Sequence, residues 1–292
     1  MDSFISSELH SPHKAEIMEQ SFDWIPALLE CQENVVEHIR PLLGKVKEPQ
    51  PDLGRGAGGD QMKLVDLAAE KAIVEVLLRR GLSFTLVSEE SGIKEFGRKT
   101  KECYVTVDPI DGTTNLVRGL PFYCSSIAVS DGPLLSSVHA GLVADLFHGS
   151  TYTASKDKGA FRDGKRIAPS TVASLSDAVI GLDLNTYKAK QIALKLSELI
   201  QNTKHIRHFG ANALELCYVA EGLTDAFVDI RRKLRTTDVA ASFLVIKEAG
   251  GTITDPDGQP VDASLDPKHT LTFVASGNQS IHRSILSLIG TK

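Results

Sequence analysis

From residue 178 onward, strand-like and helix-like runs alternate without a break. Residues 178–184 have a strand pattern. Ala189, Ile192, Leu196 and Leu199 then mark a helix, and 205–209 a short strand. A helix over 211–221 closes at Gly222, and 225–230 is a strand. A helix over 239–249 closes at Gly250-Gly251, and strand 271–275 leads to helix 281–289. Such alternation requires sheets covered by helices.

The first half follows a different order. Residues 1–20 are polar and aperiodic, a loose lead-in, and the first 45 residues carry no motif. Trp24, Leu28, Val35, Ile39 and Leu42 recur at helical spacing, with Pro41 and Gly44 as the expected stop. Val65, Ala69, Ala72 and Val76 form one face of a second helix that Gly81 ends. Strands are expected at 82–87, 104–107, 122–130, 137–144 and 150–154, with turn dipeptides such as Asp131-Gly132 and Asp163-Gly164 between segments. No repeat or linker interrupts the chain. The expectation is one α/β unit over 1–292, with subdomains 1–177 and 178–292.

Composition narrows the function. A net charge of -5 argues against a general nucleic-acid binder. The four cysteines are widely spaced, which is neither a zinc pattern nor a disulfide scaffold, and fits reduced thiols in a cytoplasm. The N-terminus lacks a basic start followed by an apolar run, so no secretory signal is expected. No run approaches the ~18 apolar residues of a membrane span. The loop Gly54-Arg55-Gly56-Ala57-Gly58-Gly59 matches a dinucleotide fingerprint in spelling, but no strand precedes it, which argues against that use.

The chemistry concentrates in Asp108-Pro109-Ile110-Asp111-Gly112-Thr113-Thr114-Asn115. Asp108 and Asp111 end an apolar strand, and Pro109 breaks it so that both carboxylates can turn to one point. The Ile110 carbonyl lies between them. A hard cation such as Mg²⁺ takes a few oxygens of this kind and leaves other positions to water and phosphate. Gly112 removes side-chain bulk, and the amides at 112–114 are candidate phosphate donors at a helix start. Glu89-Glu90 end another strand, where a shared cation would relieve their repulsion. Asp238 follows Thr236-Thr237 and opens a helix, where an N-cap role alone would also explain it. Asp66 lies on the second helix with Glu70 one turn on.

Taken together, Asp66, Glu89-Glu90, Asp108-Pro109-Ile110-Asp111-Gly112-Thr113, Asp238 and Gly250-Gly251 resemble the inositol monophosphatase superfamily. Thr237 stands where many inositol monophosphatases have Trp. The segments 227–242 and 207–220 are similar instead to the archaeal subclass acting on both fructose 1,6-bisphosphate and inositol 1-phosphate. The resemblance implies a layered αβαβα sandwich of the sugar-phosphatase type. It implies two or three Mg²⁺ ions, or Mn²⁺, held by Glu89, Asp108, the Ile110 carbonyl, Asp111 and Asp238, with Asp66 supporting a third. Thr113, oriented with Glu89, would position and deprotonate the attacking water, with Asp111 also in the catalytic set. Asp111, Gly112 and Thr113 would meet the phosphate, and Arg207, Asn212 and Arg231 the sugar or a distal phosphate. A homodimer or homotetramer is likewise implied.

The expected reaction is hydrolysis of a phosphate monoester by a cation-activated water, without a phosphoenzyme. Arg231, Arg232, Lys233 and Arg235 form a basic cluster fit for a second phosphate. The expected partners are small sugar or inositol phosphates, with no nucleic acid and no membrane. The alternatives are a 3',5'-bisphosphate nucleotidase or a non-catalytic binding protein, which would have lost an acidic ligand. His205 and His208 flank Arg207 as packing or surface residues, and Asp255-Pro256-Asp257-Gly258 is expected as a turn.

Overall fold

The computed structural model describes residues 22–48, 51–98, 103–185 and 189–289, so the lead-in over 1–20 lies outside the described residues. Two helices come first, α1 (Ile25–Leu43) and α2 (Leu64–Arg79). Next are β1 (Phe84–Ser88), β2 (Gly92–Phe96), β3 (Tyr104–Asp111), the short α3 (Thr113–Arg118), β4 (Cys124–Ser130) and β5 (Val138–Asp145). β6 (Thr151–Ser155), β7 (Gly159–Arg162) and β8 (Lys165–Arg166) complete the first half. The second half runs β9 (Val179–Leu182), α4 (Ala189–Asn202), β10 (His205–Arg207), α5 (Asn212–Glu221) and β11 (Ala226–Arg235). It ends with α6 (Thr236–Ala249), β12 (Thr252–Thr254), β13 (Thr270–Ser276) and α7 (Gln279–Ile289).

The strands form an eight-stranded sheet, β2-β1-β3-β4-β5-β6-β7-β8, and a five-stranded sheet, β10-β9-β11-β13-β12. Helices α1 and α2 cover the outer face of the first sheet, burying Leu28, Val35, Ile73 and Leu77 against Leu86, Ile127 and Leu142. Between the sheets lie α5 and α6, where Leu216, Val219, Val239 and Val245 meet Phe227, Phe273 and Tyr152. On the far face α4 and α7 pack Leu196, Leu199, Ile281 and Ile285 on Ile180, Val228 and Val274. The molecule is therefore the αβαβα sandwich expected. The central core is shared by both halves of the chain, which is why no linker divides them.

Local differences have local causes. Helix α1 continues through Pro41 to Leu43; the proline loses its own N–H bond and crowds the carbonyl one turn back, but so near the end that only two helical residues follow it. Residues 92–96, 165–166 and 252–254 form strands that periodicity does not mark, since each is short and lies at or near a sheet edge. In β2 only Gly92 is fully buried, so no apolar alternation marks it; pairing with β1 stacks Phe84 on Phe96 at 5.2 Å. The segment 255–258 is the expected turn, with the Asp255 side chain accepting the Asp257 and Gln259 amides.

One close approach sets the depth of α6. Gly141 of β5 faces Ala241, and a Cβ at 141 would lie 3.1 Å from both the Ala241 Cα and its carbonyl oxygen. The small pair lets the helix carrying Asp238 sit low on the sheet carrying Asp108. A Gly141→Val substitution is expected to cost ~1–3 kcal/mol by overpacking. Urea unfolding measures it, with a parallel loss of divalent-cation affinity as α6 lifts.

Candidate active site

The site begins with a defect in pairing. Strand β3 pairs with β4 in regular register to Asp108↔Ser126, then slips so that Asp111 faces Cys124. The extra residue on β3 is a bulge at Pro109-Ile110, where proline has no N–H to give the ladder. Both aspartates stay on the strand end, 2% and 6% exposed.

Two helices present their acids in the same way. Asp66 occupies the third position of α2 and accepts the Lys63 backbone N–H at 3.1 Å. Asp238 occupies the third position of α6 and accepts the Arg235 N–H at 2.9 Å. Asp238 is thus inside its helix by three residues and is not the N-cap, a role that falls to Arg235. Asp111 performs a related task from outside, accepting the Ala213 amide at 2.7 Å at the start of α5. Glu89 follows the β1 terminus, where Ser88 donates to Glu70 and the Ser88 hydroxyl accepts the Glu90 amide.

Ligand oxygens of Glu89, Asp108 and Asp238 lie within 4.8 Å of one another. Asp66, Ile110, Asp111, Gly112, Thr113 and Asn212 line the same cavity of about 770 Å³. At an effective dielectric near 20, three ionised carboxylates this close repel by roughly 3 kcal/mol per pair. The sum approaches the ~5–15 kcal/mol net stability of a typical domain. The groups respond by holding protons. Burial, then the Asp238 charge, pushes Glu89 up to about 8, with Arg235 opposing. Burial alone raises Asp66 to about 7, and burial with Asp238 raises Asp111 to about 7. Burial, then Asp66, raises Glu90 to about 7. Burial followed by the charges of Glu89 and Asp111 lifts Asp108 well above its usual range. Asp108 Oδ1 is also buried without a hydrogen-bond partner. An all-oxygen donor set with an orphaned carboxylate oxygen fits a hard divalent cation.

Other predicted residues fall out differently. The Thr113 hydroxyl meets the Ile110 carbonyl at 2.8 Å and Asp66 Oδ1 at 3.3 Å, so its partner is Asp66 and not Glu89. Gly112 has φ 88°, and a Cβ there would come within 3.1 Å of Ala211 and the Phe122 carbonyl, so a side chain is excluded twice. Asn212 Oδ1 is buried without a partner. Arg207 is not among the cavity residues, and its guanidinium bonds the Ile206 carbonyl. Arg231 lines an adjoining trough of about 660 Å³, but Asp183 and Asp229 both hold its guanidinium. Lys233 and Lys268 line that trough as well.

Asp60, Glu90, Asn115, Asn185, His208 and Arg235 also line the main cavity. Asn115 donates to the Phe122 and Phe209 carbonyls, both at 2.7 Å, tying α3 to the loop before α5. Its place at the end of the octapeptide was a usable signal. Asp60 and Asn185 sit in loops whose position no local pattern reveals. The glycine-rich segment is explained here too. Ala57 and Gly58 donate to the Glu90 and Glu89 carbonyls at 3.0 and 2.8 Å. A Cβ at Gly56 would meet Glu90 Oε2 at 2.9 Å, so these glycines let backbone lie on the acidic pair.

An acid-lined cavity at strand ends and helix starts, on an αβαβα frame, is fit to hold a divalent cation, as a metal-dependent phosphatase requires. The chain matches the model of the Inositol monophosphatase family over residues 26–290, and it belongs to that family. It is 34% identical to a fructose-1,6-bisphosphatase/inositol-1-monophosphatase of Methanothermobacter thermautotrophicus, covering 93% of this chain and 99% of that one. It is 32% identical to a bifunctional NADP phosphatase/NAD kinase of Methanococcus maripaludis, over 92% of this chain and 50% of that one. A crystal structure of an inositol monophosphatase–fructose 1,6 bisphosphatase superposes with a TM-score of 0.80 at 30% identity, covering 91% of this chain and 100% of that one. The chain is a phosphoric monoester hydrolase. These matches do not favour a bisphosphate nucleotidase or a non-catalytic protein.

The raised carboxylates set a pH dependence. Each binds its proton more tightly folded than unfolded, so the stability it contributes is present below its unfolded pKa. It is lost as pH rises through the folded value. Metal-free protein is expected to melt at progressively lower temperature as pH goes from about 4.5 to about 8, the two ends of the Glu89 shift. Magnesium should flatten that slope and expel protons at neutral pH. Thermal melts in chelator, and titration calorimetry in buffers of different ionisation enthalpy, measure both. A flat metal-free profile would count against the crowding of these acids.

Proposed function

We propose that this enzyme hydrolyses fructose 1,6-bisphosphate and inositol 1-phosphate in the presence of Mg²⁺. The convergence of Glu89, Asp108 and Asp238 within 4.8 Å carries the reading. A divalent cation supplies Lewis acidity there, lowering the pKa of water and neutralising phosphoryl charge. Glu89, Asp108, the Ile110 carbonyl, Asp111 and Asp238 would hold two such ions, with Asp66 supporting a third. The backbone at Gly112 and Thr113 faces the phosphate, since the first amides of a helix have no partner within it. The Thr113 hydroxyl, held by Asp66 and the Ile110 carbonyl, orients the attacking water. The buried, unpartnered Asn212 Oδ1 would accept a hydrogen bond from a hydroxyl of the sugar or inositol.

Substrate size is set by the adjoining trough. Arg231, Lys233 and Lys268 line it beside Asn185 and Asn212, a place suited to a second phosphate. Because Arg231 is already paired with Asp183 and Asp229, it contributes shape more than net charge. The trough also leaves room for the remainder of a larger monoester such as NADP, on which a relative is named to act. We further infer two subdomains dividing near residue 177 from the change in element order, a cytoplasmic setting from the widely spaced cysteines, and a homodimer or homotetramer from the family resemblance. Among the described residues no helix is long and apolar enough to cross a membrane.

Two measurements test the reading. In Asp111→Asn the side chain keeps an acceptor for the Ala213 amide but loses a ligand charge. Turnover with Mg²⁺ should fall ~100-fold or more, since such a charge is worth several kcal/mol in the transition state. Near-normal kcat with an intact melting temperature would sink the assignment. A phosphate-release screen of fructose 1,6-bisphosphate, inositol 1-phosphate, NADP and adenosine 3',5'-bisphosphate should find activity on the first two. Activity confined to either nucleotide would reassign the substrate.

A further inference from the structure

Arg235 brings a cation of the chain's own in among the acids of the site. The Arg235 side chain is 14% exposed and lies among three acids. Its Nη2 reaches Glu89 Oε1 at 2.7 Å, and its Nε reaches Asp238 Oδ1 at 3.1 Å. Its Nη1 donates to Asp60 Oδ2 at 2.9 Å and to the Gly58 carbonyl at 3.2 Å. The first two partners are metal-ligand candidates. The last two belong to the glycine segment that lies across Glu89-Glu90. Contact is tight enough that a Cβ on Gly58 would fall 2.4 Å from Nη1 and 2.8 Å from Glu89 Cγ.

We propose that Arg235 is a positioning residue that latches the 56–60 loop onto the metal ligands, orienting Glu89 and Asp238 while holding the loop across the site. The guanidinium is a planar fork with several donors at fixed angles, so one group can serve carboxylates on one side and a loop on the other. A lysine offers the same charge from a single point and cannot span both. By occupying one oxygen of Glu89 and the Asp238 carboxylate, Arg235 offsets part of the crowded negative charge. It restricts their rotation, so the remaining lone pairs and the unpartnered Asp108 Oδ1 face the same space. Loop order and cation affinity are therefore coupled through this one side chain. The coupling to cation rests on the phosphatase reading above, whereas the latch itself does not.

The test uses full-length protein freed of metal. Hydrogen exchange is followed at residues 55–61 in the wild type, Arg235→Lys, Arg235→Gln, Asp60→Ala and the double variant Asp60→Ala/Arg235→Gln. Exchange there should quicken ~10-fold in both Arg235 variants and several-fold in Asp60→Ala, with other segments unchanged. The double variant should be no faster than Arg235→Gln, because both substitutions open the same latch. Magnesium titration by calorimetry should show weaker binding, by ~10-fold, in Arg235→Lys as well as Arg235→Gln. Asp60 is 77% exposed, so its variant folds and decides the matter even if Arg235 variants do not. Wild-type exchange in Asp60→Ala, or additive effects in the double variant, would overturn the latch. Faster exchange with unchanged magnesium affinity would overturn the coupling. If wild-type protein itself took up no magnesium, the phosphatase reading would fall while the latch stood.

Discussion

Carboxylates buried side by side repel, and this molecule crowds several into one cavity at the ends of strands and the starts of helices. Glu89, Asp108 and Asp238 come from three separate elements, and each is fixed before any ligand arrives. A bulge at Pro109-Ile110 turns Asp108 and Asp111. A reach-back bond to the backbone holds Asp238, and another holds Asp66. The repulsion is the cost of a site prepared for a multiply charged cation, and it reappears as carboxyl groups that hold protons toward neutral pH.

The frame resists that repulsion through packing that has little to do with charge. Helix α6 is buried on nearly every side, with Val239, Ala240, Ala241, Val245 and Ile246 all at 1% exposure or less. Those residues anchor the helix that carries Asp238 in the layer between the sheets. Gly141 and Ala241 determine how deep it sits. Arg235 then supplies the positive charge that the apolar layer cannot, and joins the glycine loop to the same centre. Apolar depth, a proline bulge and one guanidinium together keep the acids in register.

Much of this was legible in the sequence, for a physical reason. Acids on strand ends leave local signatures: apolar runs stop at them, proline interrupts a ladder, and glycine follows where a backbone must be approached. Asp108, Asp111 and Glu89 are readable as an acidic cluster on those grounds, whereas Asp238 at a helix start reads equally as an N-cap and joins them only through the family resemblance. The strands at 92–96, 165–166 and 252–254 are not readable, since edge strands bury too little to show alternation. Asp60 and Asn185 sit in loops, and nothing local reveals which cavity a loop will reach. In the sequence Arg235 closes a basic run with Arg231, Arg232 and Lys233 that suits one phosphate-binding cluster. The fold separates them, turning Arg235 toward Glu89 and Arg231 toward Asp183 and Asp229. Arg207, three residues before Gly210, lies outside the main cavity because β10 is an edge strand and its side chain folds back on Ile206.

By itself the sequence determined the layered α/β architecture, the family and the acidic centre. Those depend on periodicity and on short motifs, whose geometry is set within a few residues. Only the tertiary structure decided which partner each charge would have. Thr113 meets Asp66 across 47 positions, and Arg235 meets Gly58 across 177. Such pairings depend on how closely α6, the first sheet and the glycine loop approach one another, and that distance is fixed by packing in three dimensions.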